Sequence, residues 1–169
     1  SEIGCEFAEV GHAERRNHFN ESNELISRKV KQALAARLVP IICVGEESQM
    51  SAEAASEICI EQIKSAISLS SAYLHQRIII AYEPIWAIGV AEPADTSYIN
   101  LVCAKIRAAS ATFGTSNLQI LYGGSAGRGL FEKIVQNVDG LFLGRSAHGV
   151  KNLKEIIEEI GNISCEPAK

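Results

Sequence analysis

One carboxylate, Glu83, stands inside the otherwise apolar run AYEPIWAIG, which extends from Ala81 to Gly89. The residues before it, Ile78 to Ala81, are short, apolar and mostly β-branched, which predicts a strand buried on both faces. Pro84 cannot donate a ladder hydrogen bond and favours an extended residue before it, so we expect the strand to end at Glu83. Burial there would raise the pKa of Glu83 and suit it to act as a general base. An ion-paired glutamate that only anchors the following loop is the alternative.

Three other predicted strands also end in residues that a hydrophobic core does not need. Because ligands bind at the carboxyl ends of strands in parallel α/β folds, this clustering indicates a functional site. His12 follows a strand and a glycine, where it could polarise a carbonyl group, and Glu14 could orient its neighbours. A lone histidine is more often structural, so this interpretation depends on the neighbouring segments, which are VGHAERR from Val10, GGSAG from Gly123 and GRSA from Gly144.

The two glycine-rich segments suit a phosphate group. Glycines let backbone amides approach an anion, and phosphate sites formed after the last two strands of a barrel are a recurring arrangement. Ordinary tight turns would use glycine as well, so both interpretations remain open. The stretch from Gly124 to Gly129 does not match GxGxxG, and a dinucleotide site is therefore not indicated.

Strand-like and helix-like segments alternate along the chain, which places these residues in five consecutive βα units. Such units predict a parallel sheet, either in a barrel or in an open doubly wound fold, and no linker divides residues 1–169 into two domains. Five strands cannot close a barrel of eight, so we expect the C-terminal part of a longer chain. The predicted strands are 5–10, 39–44, 77–83, 119–122 and 139–143, and the predicted helices are 21–37, 51–68, 96–113, 129–136 and 153–160.

Composition narrows the possible partners and the compartment. The formal net charge of −4 argues against nucleic acid, which recruits basic patches, and no apolar stretch is long enough to span a membrane. Neither the histidines nor the five cysteines have metal-ligand spacing, and this cysteine usage is typical of the cytoplasm. We expect three of the cysteines to be small core residues, namely Cys5, Cys43 and Cys103.

The combined pattern resembles the triosephosphate isomerase family. The matching motifs are, in order, GHAERR from Gly11, CVGE from Cys43, AYEPIWAIG from Ala81, YGGS from Tyr122 and DGLFLG from Asp139. They cover essentially the whole chain, from the family's fourth strand to its last helix. The resemblance implies a (β/α)8 TIM barrel of class α/β, of which this chain holds about the last five units. It also implies a homodimer that interconverts dihydroxyacetone phosphate and glyceraldehyde 3-phosphate through an enediol, without cofactor or metal.

The resemblance also assigns roles to the residues that match the family's motifs. Glu83 becomes the base and His12 a neutral electrophile at the carbonyl oxygen, and Glu14 matches a supporting glutamate. The segment from Pro84 to about Glu92 becomes a mobile lid.

The lid glycine Gly89 would offer its amide to the substrate phosphate. Ser125 and the turn at Gly144 and Arg145 would complete the phosphate site.

The chain departs from the family pattern at both sides of the phosphate site. The lid reads Gly89-Val90-Ala91-Glu92 where Gly-Thr-Gly-Lys is usual, and Arg145 replaces the second glycine of the last loop. These variants resemble a divergent branch that includes isomerases of four-carbon ketose phosphates such as erythrulose phosphate. A non-catalytic relative that binds a phosphorylated ligand is a further alternative, against which the retention of His12, Glu14 and Glu83 argues.

The family's Asn and Lys at the end of its first strand would lie upstream of residue 1. Because that Lys supplies positive charge to the site, we expect the 169-residue chain alone to have little or no activity.

Overall fold

Five strands form one parallel sheet in the computed structural model, which describes residues 1–115 and 117–164. The order in the sheet follows the order in the chain, and every neighbouring pair is parallel. A doubly wound sheet would reverse its strand order at a switch point, whereas successive strands of a barrel do not. The sheet thus has the strand order of a TIM barrel, with strands β1 (Phe7–Val10), β2 (Val39–Val44), β3 (Ile78–Tyr82), β4 (Leu118–Tyr122) and β5 (Gly140–Leu141).

The helices alternate with the strands, and several begin at side chains that accept hydrogen bonds from the first turn. Ser22 accepts from the amide of Leu25, Ser51 from that of Ala54, and Asp95 from that of Ser97. Such caps satisfy amides that have no partner within the helix, and they explain where these helices start. The helices are α1 (Ala13–Phe19), α2 (Asn23–Ala35), α3 (Ala52–Ile67), α4 (Thr96–Ala109), α5 (Phe131–Ile134) and α6 (Val150–Ser164).

The buried layer between sheet and helices contains one residue from each of the first four strands. Val10, Ile42, Ile80 and Ile120 are in register across the sheet, and all are buried. Each such side chain contributes about 1.5–3 kcal/mol through burial, so this layer holds the strand ends in fixed positions. Strand β3 is buried at every position, as the sequence predicts for it.

The sequence-based expectations were wrong in a few places. Cys5 is exposed, because β1 begins only at Phe7 and the residues before it form a turn closed by the bond from the Gly4 amide to the Ser1 carbonyl. Cys43 and Cys103 are buried as expected. Helix α1 was not predicted, and the helix predicted at 96–113 becomes a 3₁₀ turn from Ser110. Cys165 lies outside the described residues.

None of the helices in the described ranges has the length and apolar character needed to cross a membrane.

Candidate active site

All of the predicted site residues line one groove at the carboxyl ends of the strands. The groove has a volume of about 1100 Å³. Parallel strands bring their carboxyl ends to one edge, so residues far apart in the sequence meet there. The residues in question are His12, Glu14, Glu83, Gly89, Ser125, Gly144 and Arg145.

Glu83 follows β3 and lies in the floor of the groove with only 6% of its surface exposed. Its backbone amide donates a hydrogen bond of 2.8 Å to the carbonyl of Val44, which fixes the backbone at this position. Within the described chain its Oε2 atom accepts no hydrogen bond, and the nearest basic atom is Nε2 of His12 at 3.7 Å. No arginine or lysine of the described chain pairs with Glu83, which does not support the anchoring alternative.

The surroundings of Glu83 favour its protonated form. Burial raises the pKa of the carboxyl group, and the charges of Glu9 and Glu14 raise it further. His12 and a hydrogen bond from the Cys43 thiol act in the opposite direction but do not cancel the effect of burial. A carboxylate with a raised pKa and an open lone pair can accept a proton from a bound molecule.

His12 is the N-cap of α1, and this position determines the tautomer of its ring. Its Nδ1 atom accepts a hydrogen bond of 3.3 Å from the backbone amide of Glu14. An accepting nitrogen carries no proton, so the neutral ring has its proton on Nε2. That atom is the one that faces Glu83, and it can donate a hydrogen bond to an oxygen bound between the two side chains.

Glu14 contributes to this arrangement through its backbone rather than its side chain. It lies in the exposed first turn of α1, and its carboxylate makes no hydrogen bond or ion pair within residues 1–115 and 117–164. A supporting role for this carboxylate remains a prediction.

The segment after Glu83 lines the groove, and hydrogen bonds tie its second half to β4 and to the loop that follows β4. It begins with the 3₁₀ turn Ile85–Ala87, and Gly89 adopts the left-handed φ of +75° that favours glycine. Ser125 donates its hydroxyl to the carbonyl of Val90 at 2.9 Å, and the amide of Ala94 donates to the hydroxyl of Tyr122 at 3.3 Å. These bonds hold the segment over the groove.

Glu46 is a buried carboxylate beside the site to which the sequence analysis gave no role. It follows β2, is 1% exposed, and accepts hydrogen bonds of 2.8 Å from Trp86 Nε1 and from the Tyr98 hydroxyl, and a longer one from Tyr82. The buried carboxylate therefore ties the start of the lid, at Trp86, to the sheet and to α4. A glutamate two residues after the end of a buried strand was the available signal, much as for Glu83, which follows its strand directly.

Two glycines of the site are required by the position of Glu83. A Cβ atom at Gly123 would lie 2.5 Å from Cγ of Glu83, and one at Gly45 would lie 1.9 Å from the Glu83 carbonyl oxygen. Both distances are far below van der Waals contact. Gly123, which the sequence analysis grouped with a phosphate turn, therefore also makes room for the carboxylate.

The opposite end of the groove is formed by the lid and the loops that follow β4 and β5. Ser146 donates to the carbonyl of Ala126 at 2.7 Å and thereby joins the two loops. Arg145 reaches towards the lid, since its Nη2 atom lies 3.3 Å from where a Cβ of Gly89 would be. This guanidinium is exposed and forms no ion pair with a carboxylate of the described residues, so it can bind an anion.

At the end of the groove near β1, the cationic side chain is already engaged. Arg15 lines the groove, but its Nε donates to the buried carboxylate of Glu21 at 2.5 Å, and Lys29 binds the same oxygen. Burial alone would raise the pKa of Glu21, but the bonds from Lys29 and Arg15 outweigh it and lower the pKa. This ion cluster fixes α1 to α2. Of the two arginines among the described residues that line the groove, Arg145 is therefore the one available to bind an anion.

Comparison with known proteins identifies the family. The family model described as triosephosphate isomerase matches residues 1–160. An L-erythrulose-1-phosphate isomerase of Pectobacterium atrosepticum is 41% identical over 167 residues, which are 98% of this chain and 64% of that protein. A protein of the same name from Brucella abortus is 39% identical, with 92% and 63% covered. A probable triosephosphate isomerase 2 of Listeria monocytogenes is 34% identical, again with 92% and 63% covered.

The chain thus spans just under two thirds of the length of these relatives. The strand order, the groove and the match over nearly all residues agree with one another. This chain belongs to the triosephosphate isomerase family.

Proposed function

We propose that the complete protein is a cofactor-independent isomerase of a short ketose phosphate and that it prefers a substrate of four carbons. One observation carries the proposal: a buried carboxylate with a raised pKa, whose Oε2 atom accepts no hydrogen bond within the described chain, faces the Nε2 atom of a histidine whose Nδ1 atom accepts a backbone hydrogen bond. The pair can move a proton between adjacent carbons while a hydrogen bond stabilises the oxygen that gains charge.

The chemistry is the same for three and four carbons. The substrate has its phosphate on C1, a carbonyl at C2 and a hydroxyl on C3. Glu83 removes the proton from C3, the electron pair forms the C2–C3 double bond, and the C2 oxygen takes up a proton that His12 can supply from Nε2. Return of the carbon-bound proton to C2, with loss of the proton from the C3 hydroxyl, leaves the carbonyl at C3. His12 and Glu83 end in their original protonation states.

The length of the carbon chain determines what this reaction produces. In dihydroxyacetone phosphate C3 is the last carbon, so the product is an aldehyde. In L-erythrulose 1-phosphate C3 also carries a hydroxymethyl group, so the product is another ketose phosphate. The expectation of an aldose–ketose conversion therefore applies to the three-carbon substrate alone.

The names of the relatives support the four-carbon substrate. The sequence analysis placed the triose first, but relatives of 39–41% identity are named L-erythrulose-1-phosphate isomerases, whereas those named triosephosphate isomerase 2 are 34–35% identical. By resemblance to the family, we further propose that the protein is a homodimer of the cytoplasm.

The first test compares the two substrates in the complete gene product, including the segment upstream of residue 1. We expect kcat/KM to be at least tenfold higher for L-erythrulose 1-phosphate than for dihydroxyacetone phosphate, and the 169-residue chain alone to show little or no turnover of either. A higher kcat/KM for dihydroxyacetone phosphate would instead support the three-carbon substrate that the sequence analysis placed first. Binding of both without turnover would indicate a phospholigand-binding relative.

Substitution of Arg145 tests the phosphate end of the groove. Because a charge-assisted hydrogen bond contributes about 1.5–3 kcal/mol, Arg145→Gln is expected to raise KM by about 10- to 150-fold with little change in kcat. Arg128→Gln is the matched control, since Arg128 pairs with Glu155 and does not line the groove. Equal KM values for the two variants would remove Arg145 from the phosphate site.

A further inference from the structure

We propose that Glu9, on β1, binds the terminal hydroxymethyl group of a four-carbon ketose phosphate and thereby sets the length of substrate that the enzyme prefers. The inference rests on the function proposed above. It concerns a residue to which neither the motifs nor the family comparison assigns a role.

Glu9 occupies a strand position where a carboxylate is unexpected. Side chains alternate along β1, so that Val10 is buried against the helices while Glu9 points to the opposite face and lines the groove. At the same level of the sheet the next two strands carry Ile41 and Ile79. Glu9 is exposed on this face, so its carboxylate is open to a molecule bound in the groove.

No side chain of the described residues engages the carboxylate of Glu9. Glu9 forms no ion pair or hydrogen bond within residues 1–115 and 117–164, and the nearby cation Arg15 is bound to Glu21. Glu9 and Glu83 line the same groove, and the charge of Glu9 raises the pKa of Glu83. A hydroxyl group bound between them could donate to Glu9.

The direction of the groove places the end of the substrate at Glu9. The groove crosses the strand ends in the order of the sheet, with Arg145 and Ser125 beyond β5 and β4, Glu83 at β3, and His12 with Glu9 at β1. A substrate with its phosphate at Arg145 and its reacting carbons at Glu83 therefore extends towards β1. The carbon that distinguishes the four-carbon substrate from the triose lies at that end.

Variants of Glu9 provide the test, measured in the complete gene product with both substrates. We expect Glu9→Leu to lower kcat/KM for L-erythrulose 1-phosphate by about 10- to 100-fold, the loss that follows when a substrate hydroxyl loses a charged acceptor. For dihydroxyacetone phosphate, which has no group at this position, the change should be less than threefold. Glu9→Gln retains an acceptor oxygen and should give an intermediate loss for the four-carbon substrate.

The readout is the ratio of kcat/KM for the two substrates, because a change in the base would affect both alike. Removing the Glu9 charge also lowers the pKa of Glu83, whose other ionisable neighbours are His12, Cys43 and Glu14. Rates are therefore compared on the pH plateau where Glu83 is ionised in every variant. Glu6→Leu is the control, since Glu6 is an exposed carboxylate three residues upstream that does not line the groove.

The outcomes of these measurements distinguish the role of Glu9 from the proposed function of the enzyme. An unchanged ratio, or an equal fall for both substrates, overturns the role of Glu9 while leaving the proposed function intact. If the unmodified protein turns over the triose alone or neither substrate, the proposed function fails, and the role of Glu9 fails with it.

Discussion

Glu83→Gln in the complete gene product is expected to lower kcat by at least the ~10²–10⁴-fold that a general base contributes. The amide has the size of the carboxylate but cannot accept the proton from C3. KM should change little, because Glu83 lies away from the phosphate end of the groove. Turnover within tenfold of the unmodified protein would exclude Glu83 as the base, and the exposed Glu57→Gln variant in α3 serves as the control.

The same substitution should make the protein more stable at neutral pH. The pKa of Glu83 is raised in the folded state above its usual 4.5, so ionisation is easier in the unfolded chain. The free energy of unfolding therefore falls as the pH rises from below 4.5 through the raised pKa, and this loss disappears in the neutral glutamine variant. Thermal unfolding of Glu83→Gln at pH 7 should show a higher midpoint than the unmodified protein, with the difference vanishing below the usual glutamate pKa. A lower midpoint at pH 7 would contradict the raised pKa.

The same shift determines the acid limb of activity. A general base functions only when it is ionised, so if Glu83 has the proposed role, kcat/KM should fall as the pH decreases through a value above 4.5. Thermal unfolding and the pH profile of kcat/KM both report the ionisation of Glu83. As the pH rises and Glu83 ionises, stability is lost and activity appears. This opposition is typical of a residue that is placed for chemistry at a cost to the fold.

Local sequence signals predicted the strands and the central part of the site for clear physical reasons. Pro84 ends β3 next to Glu83, and the side-chain caps at Ser22 and Ser51 start α2 and α3 close to the predicted residues. Each signal acts over a few residues, which is the range that periodicity and capping rules describe. Parallel strand order then brings the strand ends together, so the grouping of His12 with Glu83 followed as well.

What the sequence did not predict depends on contacts between distant residues. Glu46 is satisfied by hydroxyl and indole groups of Tyr82, Trp86 and Tyr98, which lie 36, 40 and 52 residues further along the chain. No local rule links a glutamate to such donors. The requirement for Gly123 also depends on a distant residue. The pairing of β3 with β4 brings Gly123 close to Glu83, and the turn that contains Gly123 gives no sign of this contact.

Gly123→Ala should consequently impair catalysis while leaving the fold intact. The added methyl group would lie 2.5 Å from Cγ and 2.9 Å from Oε1 of Glu83, so the carboxylate must move away from its position. A displacement of about 1 Å can cost ~10²-fold in rate, and we expect a fall in kcat of at least that size. The midpoint of thermal unfolding should change little, because the obstacle is a side chain with freedom to rotate.

Two other glycines provide the controls for this substitution. Gly127 lies in the same loop, and a Cβ there would meet nothing within 4 Å, so Gly127→Ala should preserve both kcat and stability. At Gly45 the methyl group would lie 1.9 Å from the backbone oxygen of Glu83, which cannot rotate away, and Gly45→Ala should therefore destabilise the fold itself. Similar kcat values for Gly123→Ala and Gly127→Ala would show that the precise position of Glu83 does not limit the reaction. If Gly123→Ala instead unfolds, this glycine is required by the fold, as Gly45 is. The Glu83 side chain would then be unable to rotate away from the added methyl group.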